Sequence, residues 1–271
     1  MNTYLFIFIL LSAIIIFFFL TRNEYIENFD DYSNFILKDS PNKIFDEFYA
    51  NIYDKLFKNK KYLPDIIPIK KFTIDNNNNF ANSDIKFLDL GCGTGNTIKA
   101  LQQLDIKCVG VDNSINMLER ARSKSDCKLI KADFNKKHIF QKNSFTHILG
   151  LQHTIYYVQN IEQLFKNMNY WLKLRGFFCI QLIDTSIPQK KIKTKMDQYY
   201  YLSHWSNTNH FKENFLFSDK SKHIQHDHNF NIKPIISYIE FAKKTGFSFY
   251  KKYKTPEKDY IYIFKKKYNL Y

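Results

Sequence analysis

The chain begins with an unbroken apolar run. From Tyr4 to Leu20 only Ser12 and the Tyr4 hydroxyl are polar, and no residue is charged. As a helix this run measures roughly 25 Å at about 1.5 Å per residue, near the thickness of a thin bilayer. A cleaved signal peptide needs a basic start and small residues at its end. Here the start is Met1-Asn2-Thr3 and the end is Phe17, Phe18, Phe19 and Leu20. The pattern predicts an uncleaved single-pass transmembrane anchor over residues 1–21. Arg22 on its C-terminal flank orients the body of the chain towards the cytoplasm.

The period then changes. Residues 22–84 read as an N-terminal extension. Within 42–58, Ile44, Phe45, Phe48, Tyr49, Ile52, Tyr53, Leu56 and Phe57 recur at helical spacing. They predict an amphipathic helix with Ser40 as N-cap and Pro41 at its first position. Residues 61–84 hold Pro64, Pro68 and the run Asn76–Asn79, and read as a loop or linker.

From residue 85 short apolar strands alternate with helical stretches. Strands are expected at 85–90, 107–112, 128–133, 145–151 and 176–183, with helices at 95–103, 114–123 and 161–174. Residues 185–231 look irregular. A helix at 232–245 and a closing hairpin, 247–253 with 259–266, end the chain. Strand–helix alternation requires a mostly parallel sheet with helices on both faces, so 85–271 reads as one α/β domain. The stretch 185–231 is too long for an ordinary connection and carries Tyr199, Tyr200, Tyr201, Trp205, Phe211, Phe215 and Phe217. It is expected to cap a substrate.

Composition narrows the classes. The 271 residues are 45% hydrophobic and 18% aromatic, enough for a substantial core. Four cysteines without C-x-x-C spacing exclude a disulfide scaffold and read as reduced thiols with no zinc site among them. Lys+Arg 40 against Asp+Glu 26 gives +14. That excess is spread along the chain, so it makes nucleic acid an unlikely partner rather than an expected one.

The chemistry concentrates after the first strand of the domain. Phe87-Leu88-Asp89-Leu90-Gly91-Cys92-Gly93-Thr94-Gly95 is a strand running through Gly-x-Gly-x-Gly into a helix. Glycines suit a tight turn that a ligand approaches closely, and the helix N-terminus offers free N–H groups. Dinucleotide sites use Gly-x-Gly-x-x-Gly, but position 96 is Asn, and Asp89 would repel a pyrophosphate. Both facts favour a cationic, phosphate-free ligand over a nicotinamide cofactor. Asp112 ends the second strand 21 residues after Gly91, the separation that places a carboxylate on a ribose diol. Asp133 ends the third.

With loop, Asp112 and Asp133 in this order, the chain resembles the class I (Rossmann-like) S-adenosylmethionine-dependent methyltransferases. The resemblance covers 85–183 well and 184–271 by topology. It implies a three-layer fold with a seven-stranded, mostly parallel sheet whose last strand is antiparallel. It implies S-adenosyl-L-methionine as cofactor. Asp89, Gly91, Cys92, Gly93 and Gly95 would hold its methionine part, and Asp112 its ribose. Asn113, Met117, Asp133 and Phe134 would surround its adenine. Gln152 and His153 match the loop near the transferred methyl, with His153 a candidate general base. That loop, Leu151-Gln152-His153-Thr154, departs from the Asn-Pro-Pro-Tyr type that methylates amino groups of nucleic acid bases or glutamine.

Tyr49 and Tyr53 of the amphipathic helix, and Tyr156, are candidate lid or substrate contacts. His223, His226 and His228 flank Asp227 like metal ligands, but a polar turn would look the same; no metal is expected. The activity implied is methyl transfer to an O, N or C nucleophile. The anchor favours a lipid or membrane protein beside a small-molecule acceptor. A non-catalytic membrane-tethered relative of the same fold, or a nucleic-acid methyltransferase, are the alternatives.

Overall fold

The computed structural model describes residues 11–12, 32–77, 79–184 and 191–270. The expected anchor therefore lies outside the described residues, apart from Leu11 and Ser12. Among the described residues no helix is long and apolar enough to cross a membrane.

Strand β1 (Phe35–Lys38) leads into helices α1 (Pro41–Ile44) and α2 (Glu47–Leu56). The expected single helix over 42–58 is thus two. Its apolar period runs on without interruption, but the Asp46 carboxylate accepts a hydrogen bond from the Tyr49 N–H and starts a new helix there. The expected linker at 61–84 also differs. Pro64 sits in the first turn of helix α3 (Leu63–Lys70), where its missing N–H costs nothing, and Ile66 and Ile69 enter the core.

The main sheet holds β2 (Phe87–Leu90), β3 (Cys108–Asp112), β4 (Lys128–Lys131), β5 (Phe145–Gly150), β6 (Leu172–Leu182), and later β11 (Phe247–Lys254) and β12 (Tyr260–Lys266). Their spatial order is β11-β12-β6-β5-β2-β3-β4. The five strands from β2 to β6 run parallel, and β12 is antiparallel to both β6 and β11. This is the expected seven-stranded sheet with its last strand reversed. Helices α4 (Asn96–Gln102), α5 (Ile115–Arg122), α6 (Ile161–Trp171) and α7 (Ile235–Lys244) complete the alternation. Ile98 and Leu101 of α4 share one core with Ile66 and Ile69 of α3. Leu164, Phe165 and Met168 of α6 share the other with Tyr238 and Ala242 of α7. These two cores make the outer layers of a Rossmann-like three-layer fold.

The stretch read as irregular is a second sheet. Strands β7 (Ile192–Lys195), β8 (Tyr199–Trp205), β9 (His210–Phe217) and β10 (His223–Asn229) are antiparallel, and β1 joins β10 in parallel. Helix α2 lies on this sheet. Phe48 meets Phe215 edge-on at 5.3 Å, and Tyr49 and Ile52 are buried in the same cluster.

Candidate active site

Three adjoining cavities follow the carboxyl ends of the parallel strands, where sheets of this kind bind ligands. The smallest, about 30 Å³, lies between Asp89, Gly93, Thr94 and Asn96. The second, about 290 Å³, is lined by Gly93, Asp112, Met117, Asp133 and Phe134. The third, about 660 Å³, opens between α2 and the second sheet. Tyr53 and Gln152 line all three.

The glycine loop shapes the first two. Gly95, with φ +81°, caps α4 so closely to α5 that a Cβ would stand 2.9 Å from the Ala121 Cβ. At Gly93 a Cβ would meet nothing within 4 Å, so that backbone faces open space for a ligand. Asp89 is buried with Oδ2 unpartnered, and burial, reinforced by Asp112, pushes its carboxyl well up. An ammonium group in the small cavity would relieve that cost. Asp112 accepts the Gly93 N–H through Oδ2 at 2.9 Å and the Ser114 N–H through Oδ1 at 2.8 Å. Burial raises its carboxyl, and these bonds pull the other way. Asp133 is held by Asn135, and Asn113 reaches Asn42 on α1 at 3.2 Å. An orphan carboxylate, an open glycine backbone and acids in order fit S-adenosylmethionine.

Two expected contacts differ. Cys92 reaches the small cavity, but its side chain is buried in the core, with Sγ 2.8 Å from where a Gly110 Cβ would stand. Tyr156 is buried, its hydroxyl accepts the Ile183 N–H at 2.7 Å just past the end of β6, and it lines none of these three cavities. Tyr49 lines only the largest cavity, whereas Tyr53 reaches the cofactor cleft as well.

Gln152 and His153 both adopt positive φ, at 54° and 65°, which turns the loop after β5 across the junction. His153 faces the largest cavity, its Nε2 3.0 Å from Asp259 Oδ2. Gln181 on β6 donates to the same oxygen at 2.9 Å and accepts the Gln152 N–H at 3.0 Å. Burial alone would raise Asp259, but His153 and Gln181 hold its carboxyl below the usual range. An oriented imidazole at a cavity wall can take a proton from a bound hydroxyl or amine.

Sequence reasoning missed several participants. Asp54 on α2 accepts from the Thr94 hydroxyl and the Asn96 amide, both at 2.8 Å, and pairs with Lys124 at 2.5 Å. It latches α2 onto the glycine loop. Asp259 and Glu213 were unmarked because each pairs with a histidine distant in sequence. The expected polar turn around Asp227 is instead strand β10. His226 and His228 face inward towards Glu213, and Asp227 faces outward near His210.

A methyltransferase-domain family model matches residues 87–176. The carboxy-S-adenosyl-L-methionine synthase of Nautilia profundicola is 27% identical over 163 residues, covering 58% of this chain and 68% of that protein. Among solved structures, an S-adenosylmethionine-dependent methyltransferase from Clostridium acetobutylicum aligns with a TM-score of 0.62 at 21% identity. That alignment covers 82% of this chain and 98% of its own. The sugar N-methyltransferase KedS8 from Streptoalloteichus aligns at 0.64 and 14% identity, covering 80% and 93%.

Proposed function

We propose that this chain, whose residues 87–176 match a methyltransferase-domain family model, is a class I S-adenosylmethionine-dependent methyltransferase that methylates a nucleophilic O, N or C atom of a small acceptor held in the aromatic cavity of about 660 Å³. The observation that carries this reading is the junction at Tyr53 and Gln152. Donor cleft and acceptor cavity meet there, with His153 on the acceptor side.

When bound, S-adenosylmethionine supplies an electrophilic methyl on a sulfonium, displaced in line. The protein's part is alignment and exclusion of water. Asp89 would take the amino group of the methionine portion, and the Gly93 backbone its close approach. Asp112 would exchange a backbone hydrogen bond for the ribose diol, and Met117 and Phe134 would flank the adenine. Tyr53, which lines the donor cavities, would offer an aromatic ring to a cationic centre bound there. His153, oriented by Asp259, accepts the proton when the acceptor arrives as a hydroxyl or ammonium.

The relatives named carboxy-S-adenosyl-L-methionine synthase suggest a second reading, in which the ligand carries an added carboxylate. Such a group calls for a cation beside the sulfonium. The described residues lining the two donor cavities include no Lys or Arg, whereas Lys60 and Lys258 line the adjoining acceptor cavity. The uncharged run Tyr4–Leu20 supports a membrane-associated acceptor.

The test is calorimetric titration of S-adenosylmethionine into the full chain. Saturable binding that Asp112→Ala weakens by about tenfold or more, roughly 1.4 kcal/mol or above for a charge-assisted contact, is expected. Equal affinity in the variant, or no binding by folded protein, would overturn the reading.

A further inference from the structure

Beneath the acceptor cavity, β9 and β10 bring three chemically matched side chains together. Glu213 and His226 are register partners across the two strands, and His228 follows two residues on, on the same face. All three are buried, and one ligand atom from each lies within 4.8 Å of the others. His228 Nε2 is 2.7 Å from Glu213 Oε2, and Tyr201 donates to Glu213 Oε1 at 2.6 Å. The Tyr157 hydroxyl reaches His228 Nδ1 at 2.5 Å. These bonds account for Glu213 and His228.

His226 is different. It is fully buried, yet neither ring nitrogen makes a hydrogen bond, and Nδ1 stands 3.5 Å from Glu213 Oε2. A buried imidazole with both nitrogens unpartnered is costly, because each polar group has left water without gaining a partner. Closing that deficit takes a partner aimed at the carboxylate the ring already faces. A ligand that accepts lone pairs from two neutral imidazoles and one carboxylate meets the requirement, and this donor set suits zinc-class divalent ions.

We propose that Glu213, His226 and His228 form a mononuclear divalent transition-metal site on the floor of the acceptor cavity. The ion would be held by one nitrogen from each histidine and by a Glu213 oxygen. His228 also lines the cavity, so a remaining coordination position would be directed towards the acceptor, for an oxygen or amine of that molecule or for water. Starting from an imidazolium–carboxylate pair, binding takes the Nε2 lone pair of His228: the proton shared between Nε2 and Glu213 leaves to solvent, and the second ring proton stays on Nδ1, donated to the Tyr157 oxygen. Tyr157 lines both the acceptor cavity and the cofactor cleft, so the ion would sit one hydrogen-bonded residue from the donor.

The test uses the full chain, stripped with a chelator and titrated with cobalt(II), whose visible absorption reports its ligands. One cobalt per chain is expected, with a visible band that one equivalent of zinc removes, and with release of a proton. His226→Gln and Glu213→Gln should abolish the band while keeping S-adenosylmethionine affinity, which shows that they are folded. Absence of a band in the wild type, or an unchanged band in His226→Gln, would overturn the proposal. Should both variants fail to fold, the wild type decides through its imidazole resonances. Paramagnetic shifts on two buried histidines support the site, and shifts confined to exposed ones overturn it. Because cobalt binding is read without methyl transfer, its failure is distinguishable from failure of the proposed reaction.

Discussion

Asp65 shows what burial does to a carboxylate without partners. It is 1% exposed, and neither side-chain oxygen makes a hydrogen bond among the described residues. Burial raises its carboxyl from 3.8 to about 6. A raised acid subtracts stability as pH climbs, because the unfolded chain ionises from 3.8 while the folded chain still holds its proton. The penalty is absent below 3.8 and complete above 6. Asp65→Asn should therefore stabilise the protein at pH 7 by up to about 3 kcal/mol and change little at pH 3. Urea midpoints at the two pH values check this. His153 carries the second prediction at this scale. His153→Gln should lower kcat by about a hundredfold while leaving the Kd for S-adenosylmethionine unchanged, and Asp259→Asn should follow with a smaller loss. A rise in KM alone would assign His153 to acceptor binding without proton transfer.

At the scale of elements, α2 decides how the cofactor is enclosed. Its apolar stripe is buried on the second sheet, and its polar edge is latched to the glycine loop through Asp54. Asp54→Ala should raise the Kd for S-adenosylmethionine by roughly tenfold, the loss of about 1.4 kcal/mol from charge-assisted hydrogen bonds. The melting of the main sheet should barely change, since Asp54 touches no strand of it. Calorimetry and thermal scans separate the two effects.

The same elements show where the sequence was readable. Strands β2 and β5 are buried throughout, so apolar residues (Phe87, Leu88 and Leu90; Phe145, Ile148 and Leu149) mark them even though Asp89, Thr146 and His147 interrupt the runs. Asp112 ends β3, and Asp133 follows β4 by two residues. Strands β9 and β10 are opaque for the opposite reason. Their inward face carries Glu213, His226 and His228, so the alternation that reveals a half-buried strand is written in polar letters. Strand β1 is four residues long and gains its identity only by pairing with β10. The donor half of the site was legible because its parts, the glycine loop, Asp112 and Asp133, sit in sequence order at the carboxyl ends of three successive strands. The acceptor half was not, because His153 with Asp259, and Glu213 with its histidines, meet only through tertiary contacts.

At the scale of the whole molecule, the carboxyl ends of the parallel strands supply the donor site, and the second sheet supplies one wall of the acceptor cavity through Tyr201, Trp205, Phe211 and His228. On the proposed membrane association, the N-terminal apolar run would give the protein a place in the cell. Removing residues 1–21 should move the protein from the membrane fraction to the supernatant on centrifugation, with S-adenosylmethionine affinity retained. Continued sedimentation with membranes would shift the anchoring role to another surface.

The pairing of β1 with β10 also has a consequence in time. Phe35 waits for His223, a partner 188 residues further along the chain. At about 5–20 residues per second of synthesis, that interval is roughly ten to forty seconds. Through it the nascent chain can assemble β2 to β6 while the aromatic face of α2 has no sheet to lie on. Phe48 and Tyr49 then depend on something else in the cell to shield them until the last quarter of the protein emerges.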